Sequence, residues 1–384
     1  MTTIVAAQEL LTRLVAIESV TPWLIPDGAG EGAIARWIAE WLADLPVEVA
    51  IEEVEPGRPN LIATLRGTGG GPSLCLNAHT DTVGYASWRD RALTAERRGD
   101  QLVGLGAADD KAGVAVGLLA MRELAGAGRR RAGDLVLLCA ADEEGASIGS
   151  EHFVRHHHTD AAIVLEPDDA GRAIVEHQGF GWIDVVVHGR PSHGSAPDAG
   201  IDAIVHMAEV VRGLHRRDVE VFRAGPVPFN GRTVFHTGTI RGGTDYATYP
   251  AAATLGIEIG TQPGGRLADR VREIEETFSE VAAVFPDFRG EVRIALEREP
   301  FVAAGHERLL EVADRAAERV LGRPLTKEGM NGWTDAALMQ AAGIPTILLG
   351  PAGGNFHSPD EWVSLPDVVA SAEIIRRTAE AFCG

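Results

Sequence analysis

Three cysteines, three tyrosines and two lysines are all that 384 residues contain of those types. Cys75, Cys139 and Cys383 show no CxxC spacing, and two of them lie in apolar, strand-like runs, so they read as free thiols or small buried hydrophobes. That excludes a disulfide framework and a thiolate metal cluster. Lysine is confined to Lys111 and Lys327; the other basic residues are all arginine, a compositional bias without functional content. Positive charge is scarce overall. Asp and Glu outnumber Lys and Arg by 55 to 35, and the formal net charge of −20 argues against nucleic acid or an anionic membrane as partner. A small anionic substrate stays admissible, because a bound dication would invert the local field. No apolar stretch approaches the roughly 18 residues of a membrane span. The opening MTTIVAAQELLTRLVAIESV carries Glu9 and Arg13 within helical periodicity and lacks a basic start followed by an apolar block, so it reads as a helix and not as a signal peptide. The expectation is a cytoplasmic protein.

What the chain does have is length for two domains and a hydrophobic fraction of 45%. Amphipathic periodicity predicts helices over 3–17 and 30–44. Short apolar runs then alternate with helical segments: strands at 60–66, 74–78, 135–140 and 161–165, helices near 112–125 and 147–158. That alternation predicts an α/β sheet with helices on its faces. From about Gly179 the order becomes strand 182–188, helix 201–215, strands 232–240 and 252–259, helix 267–284 and strand 291–296. This βαββαβ order is that of a ferredoxin-like domain. Afterwards the α/β pattern resumes, with helices near 306–321, 334–342 and 366–382 and a strand at 346–349. The expected architecture is a catalytic domain over 1–178 and 293–384, interrupted by an inserted domain over 179–292.

Chemistry collects where apolar strands stop. LCLNA runs into His79 and Asp81; LVLLCAA runs into the three consecutive carboxylates Asp142, Glu143 and Glu144; AAIVL runs into Glu166. Ligands of open α/β sheets bind beyond the carboxyl ends of strands, so these side chains are expected to converge. Asp109, in GLGAADDKAG before a helix, and His357, in GPAGGNFHSPDEW after a strand, flank them. Crowded buried carboxylates require compensating positive charge. Imidazole and carboxylates without thiolate favour zinc, manganese or cobalt, and a metal pair would answer the three like charges in a row. The His156–His158 run reads as a solvated helix end, and His188, His206, His215, His236 and His306 as surface positions. Nucleotide binding at GLGAADDKAG is a formal alternative, opposed by Asp109 and Asp110, which would repel phosphate.

Together NAHTDTV, GLGAADDKAG, ADEEGASIGS, LEP, GRPSHGSAP and HSPDEWV resemble, in order and over nearly the whole chain, the di-zinc superfamily of acetylornithine deacetylase, succinyl-diaminopimelate desuccinylase and glutamate carboxypeptidase. The resemblance implies a metal-dependent aminopeptidase-like catalytic domain with an inserted ferredoxin-like dimerisation domain. It implies two divalent metal ions, zinc above cobalt or manganese, bridged by Asp109, with His79 and Glu166 on one and Glu144 and His357 on the other. Glu143 would be the general base that takes the proton of a water bridging the metals, and Asp81 would orient His79. The Asp109–Asp110 peptide would be cis. His193 would reach across a homodimer interface to stabilise the oxyanion in the partner's site.

The sequence departs from the superfamily in DYATYPAAATLGIEIGTQPG. Ala247 stands where an Asn is expected and Gly260 where an Arg that grips the substrate carboxylate is expected. The substrate therefore either lacks a free α-carboxylate or is gripped by another cation, with Arg232 and Arg241 as candidates. The leading expectation is hydrolysis of an N-acyl amino acid, in the manner of acetylornithine deacetylase. A dipeptidase or carboxypeptidase on the same scaffold comes next, then a metal-binding protein without catalysis.

Overall fold

Four neighbouring strands, Leu135–Ala140, Leu74–His79, Ala161–Val164 and Thr346–Leu348, run parallel in that spatial order, so their carboxyl ends share one edge of a sheet. They are apolar almost throughout, as strands covered on both faces must be. The computed structural model in which they lie describes residues 2–88, 91–126 and 131–384. Outside them, Arg58–Leu65 pairs antiparallel with Leu135–Ala140, and Glu48–Glu55 pairs antiparallel with Arg58–Leu65. On the other side Leu348 pairs antiparallel with Ile174.

The two-residue period of the strands divides the core. Leu74, Leu76, Leu135 and Leu137 join a large cluster with the helices Ile4–Val15, Gly32–Leu42, Lys111–Gly126 and Leu365–Phe382. Cys75, Leu138 and Ala162 point to the opposite face and meet Phe153, Met339 and Ile344. All three cysteines are buried and free. Helix Lys111–Gly126 approaches the sheet closely because Gly117 faces it; a Cβ there would lie 2.5 Å from Leu137 Cδ1. The chain passes from Leu74–His79 to Leu135–Ala140 on one side, then back across to Ala161–Val164 on the other. This reversal of strand order opens a crevice at the strand ends.

Contacts divide the chain into two compact units, one of residues 1–175, 303–328 and 334–384, the other of 176–302 and 329–333. In the second, Phe235–Gly242, Ala252–Thr261, Gly179–His188 and Arg289–Arg298 form an antiparallel sheet in that order, with helices Ala203–Arg217 and Leu267–Val284. Numbered along the chain the strands lie 4-1-3-2, the ferredoxin-like arrangement. The unit extends through Val302 because Arg289–Arg298 pairs along its length with Gly179–His188.

Several strands carry no hydrophobic period that the sequence shows. Strand Glu48–Glu55 is one, because EVAIEEVE is acidic and largely exposed, as suits a charged strand at a sheet edge. Strand Arg172–His177 is another. His206, expected at the surface, is buried against Phe285 and Phe288, with ring centroids 4.8 and 5.8 Å away. No helix among the described residues is long and apolar enough to cross a membrane.

Candidate metal centre

His79 is the last residue of its strand and is buried. Two residues on, Asp81 turns back so that its Oδ1 lies 3.3 Å from His79 Nδ1, and its carbonyl oxygen lies 3.1 Å from the same nitrogen. With Nδ1 held as the donor, Nε2 is free to face other groups. It lies 3.0 Å from Asp109 Oδ1, 3.7 Å from Glu166 Oε1 and 3.9 Å from Glu143 Oε2. The second oxygen of Asp109, Oδ2, is 3.4 Å from His357 Nε2, which in turn is 3.1 Å from Glu144 Oε1. One carboxylate thus presents its two oxygens to two imidazoles. The sequence candidates His79, Asp81, Asp109, Glu143, Glu144, Glu166 and His357 all meet within this unit.

Asp81 has a second task. Its two oxygens accept from the backbone N–H groups of Glu143 and Glu144 at 3.0 and 3.1 Å, so the acid that orients His79 also holds the turn carrying the paired glutamates. The Asp109–Asp110 peptide is cis, as the resemblance implies.

Asp142 departs from its neighbours. It adopts a left-handed backbone, with φ at 67°, and its carboxylate turns away to Arg58 at 2.7 Å and the Thr21 hydroxyl at 2.5 Å. Arg58 also grips Glu31 at 2.6 Å. Of the three consecutive carboxylates, Asp142 is therefore compensated by a buried guanidinium, whereas the two glutamates have only imidazoles beside them, Glu143 at 3.9 Å and Glu144 at 3.1 Å.

Several supporting residues escaped the sequence reading. Asp110 accepts from the His79 and Gly113 backbone N–H groups at 3.2 and 3.0 Å, bracing the strand end against the helix start. Glu361 accepts from the N–H groups of Gly106, Ala108 and Asp109, and so holds the loop that presents Asp109. Asp335 accepts from Ser150 Oγ at 2.5 Å, and Ser150 accepts from Asn77 at 3.0 Å. A lone acid in sequence carries no sign of such backbone-directed work; only HSPDEW, already singled out around His357, pointed toward Glu361.

Electrostatics define what the cluster lacks. Burial raises the Glu143, Glu144, Glu166 and Asp110 carboxyls, with neighbouring carboxylates adding to the shift. Burial also works against ionisation of Asp109, but hydrogen bonds from His357 and His79 outweigh it and hold that carboxyl low. Burial lowers both imidazoles, yet the carboxylates win: His79 is raised and His357 is pushed up to about 11. The cluster demands positive charge. Among the described residues, the ion pairs of Asp109, Glu143, Glu144 and Glu166 are all with His79 or His357. His79, Asp109 and Glu144 bring three donor atoms within 4.8 Å of one another, and His79, Asp110 and Glu166 do the same. Oxygen and imidazole donors in this number fit divalent zinc, cobalt or manganese.

The remaining candidates belong to the second unit. His193 is exposed, with Nδ1 2.7 Å from Ser195 Oγ. At Gly260 a Cβ would lie 2.5 Å from Gln178 Oε1 and 3.0 Å from the Val234 nitrogen, so an arginine there would have to displace the Gln178 amide. Arg232 is committed to the Gly225 carbonyl at 2.5 Å, whereas Arg241 is exposed on its strand. Of the helix-end histidines, His157 turns to Glu52 at 2.9 Å and is not simply solvated.

Known proteins resemble this chain over nearly its whole length. Acetylornithine deacetylase of Proteus mirabilis is 29% identical over 386 residues, covering 98% of this chain and 96% of its own. A tripeptidase from Staphylococcus aureus superposes with a TM-score of 0.81 at 21% identity, over 100% of this chain and 99% of that one. A dinuclear metal-binding M20 peptidase from Bacillus subtilis gives 0.71 at 16% identity, over 99% and 98%. The model of peptidase family M20/M25/M40 matches residues 75–381, from the strand that delivers His79 to the last helix. The chain is a metal-dependent hydrolase belonging to peptidase family M20/M25/M40.

Proposed function

We propose that this hydrolase cleaves the amide bond of an N-acyl amino acid, using Glu143 as general base beside two divalent ions. The observation that carries the reading is the Asp109 carboxylate, whose separate oxygens face His79 and His357. His79 and Glu166 would hold one ion, Glu144 and His357 the other, and Asp109 would serve both. A metal pair in such a site acidifies water and polarises the scissile carbonyl.

The protein's own groups supply the rest. Asp81 holds the His79 ring so that Nε2 presents its lone pair. Glu143 is the least engaged carboxylate, with its imidazole contact at 3.9 Å, and burial with the Glu166 charge raises its affinity for a proton. That suits it to take the proton from water and deliver it to the departing amine nitrogen, which leaves poorly as an anion. The resemblance supports a role for His193 as an oxyanion donor in a neighbouring protomer of a homodimer. The 29% identity to acetylornithine deacetylase supports an N-acyl amino acid; zinc is the metal that the donor set favours.

The test is metal content per chain on protein purified without added metal, with hydrolysis of N-acetyl, N-succinyl and dipeptide substrates measured with and without chelator. Near two metals per chain and chelator-sensitive cleavage of N-acyl substrates is the expected result. Faster turnover of dipeptides would move the assignment to a peptidase. No metal uptake after soaking with zinc, cobalt or manganese would sink the proposed site.

A further inference from the structure

The loop TPWLIPDGAG exposes three large apolar residues in succession: Trp23 at 45%, Leu24 at 36% and Ile25 at 43%. A run of this kind in water is unfavourable, and contiguous exposed apolar surface commonly marks a binding site. This loop is firmly anchored. The Thr21 N–H donates to Thr82 O and the Thr82 N–H to Ser19 O, both at 3.0 Å, while the Ile25 N–H closes a turn onto Thr21 O at 3.1 Å. Thr21 Oγ1 is the group that donates to Asp142.

Its two outer residues rest on glycines of the segments that carry the chemistry. A Cβ on Gly145, directly after Glu144, would lie 2.9 Å from Trp23 Cβ. A Cβ on Gly84, three residues after Asp81, would lie 2.7 Å from Ile25 Cγ1. A side chain at Gly145 would press on the Trp23 Cβ and one at Gly84 on the Ile25 side chain, so the two glycines let these residues lie close against the turns holding Asp81 and the paired glutamates. The loop itself carries no cation that could grip a carboxylate; its one charge is Asp27.

From this juxtaposition we infer that Trp23, Leu24 and Ile25 form an apolar subsite for a bulky aromatic or branched aliphatic group of the substrate. The inference rests on the amide-hydrolase reading and adds a substrate class to it: an N-acyl amino acid with a large apolar group, in preference to one with a cationic side chain. The group can belong to the amino-acid side or to the acyl side, and the chemistry of recognition is the same.

The test is kcat/KM for N-acetylleucine, N-acetylphenylalanine, N-acetylglycine, N-acetylornithine and N-hexanoylglycine on the metal-loaded enzyme, the parent compared with Trp23→Ala and Ile25→Ala. The parent is expected to prefer a bulky apolar substrate over N-acetylglycine and N-acetylornithine by about tenfold or more. Leucine and phenylalanine derivatives place the group on the amino-acid side, and hexanoylglycine on the acyl side. Each variant should shrink the ratio toward one, mainly through KM. Thermal unfolding and metal content near the parent's identify the variants as folded, and Ile25→Ala serves if Trp23→Ala does not fold. A parent that cleaves N-acyl amino acids without size preference, or a preference that survives both substitutions, overturns the subsite alone. A metal-loaded parent that cleaves none of the five overturns the amide-hydrolase reading and the subsite with it.

Discussion

Glu143 and Glu144 are adjacent, both largely but not fully buried, and assigned to different work. The difference lies in their neighbours. Glu144 Oε1 is 3.1 Å from His357, whereas Glu143 approaches only His79, at 3.9 Å. Glu143→Gln keeps the volume and removes the base, so turnover should fall by about a hundred- to ten-thousand-fold with metal content unchanged. Elemental analysis beside steady-state rates checks this; a variant that loses its metal would instead make Glu143 a ligand. At this scale much was legible: every residue named as ligand or base from strand ends and motifs lies in one cluster with Asp109 at its middle. Asp142 was not. It shares the strand end and the charge of its neighbours, and only its left-handed backbone and the distant Arg58 send it elsewhere.

Secondary-structure elements are joined near the site by buried charge. Arg58 begins a strand, Glu31 precedes helix Gly32–Leu42 and Asp142 follows strand Leu135–Ala140, and the guanidinium binds both acids out of water. Burial pushes the Glu31 carboxyl up to about 7 even against its Arg58 hydrogen bond. Arg58→Ala would leave two buried acids without their cation and should cost about 3–5 kcal/mol in a urea unfolding experiment. A loss under 1 kcal/mol would mean that water reaches these groups. Helix Lys111–Gly126 begins on a buried lysine whose Nζ donates to Ile17 O at 2.8 Å. Burial pulls its amine down to about 7, although Glu361 and Glu18 oppose the shift. Unfolded, the same amine titrates near its ordinary value of about 10.4. Between those values the unfolded chain binds more protons, so this group makes stability rise with pH from about 7 to 10.4, and its penalty is complete below 7. Lys111→Met should flatten that part of the stability curve; an unchanged slope would exonerate the lysine.

For the whole molecule, the second unit supplies the one assigned residue that the cluster in the first unit does not include, His193. If it serves a partner's site in a homodimer, mixing inactive Glu143→Ala and His193→Ala chains should restore activity through hybrids with one intact site. Recovery absent after verified subunit exchange would place His193 in its own protomer's site or outside catalysis. The order of the helices and central strands was determined by the sequence alone, because hydrophobic periodicity is local: the interrupted α/β pattern and the βαββαβ insertion are both observed. So was the chemical type of the site, since His, Asp and Glu at strand ends leave few alternatives. The tertiary structure decided what depends on meetings across the chain. It chose Arg58, 84 residues away from Asp142, as that acid's partner. It bent Glu361 back onto the Asp109 loop and filled the space beside Gly260 with Gln178. It laid an apolar loop against Gly84 and Gly145. Such contacts have no sequence period; they arise where packed strands and helices bring distant segments within a few ångströms, and there burial makes each charge find its counterpart.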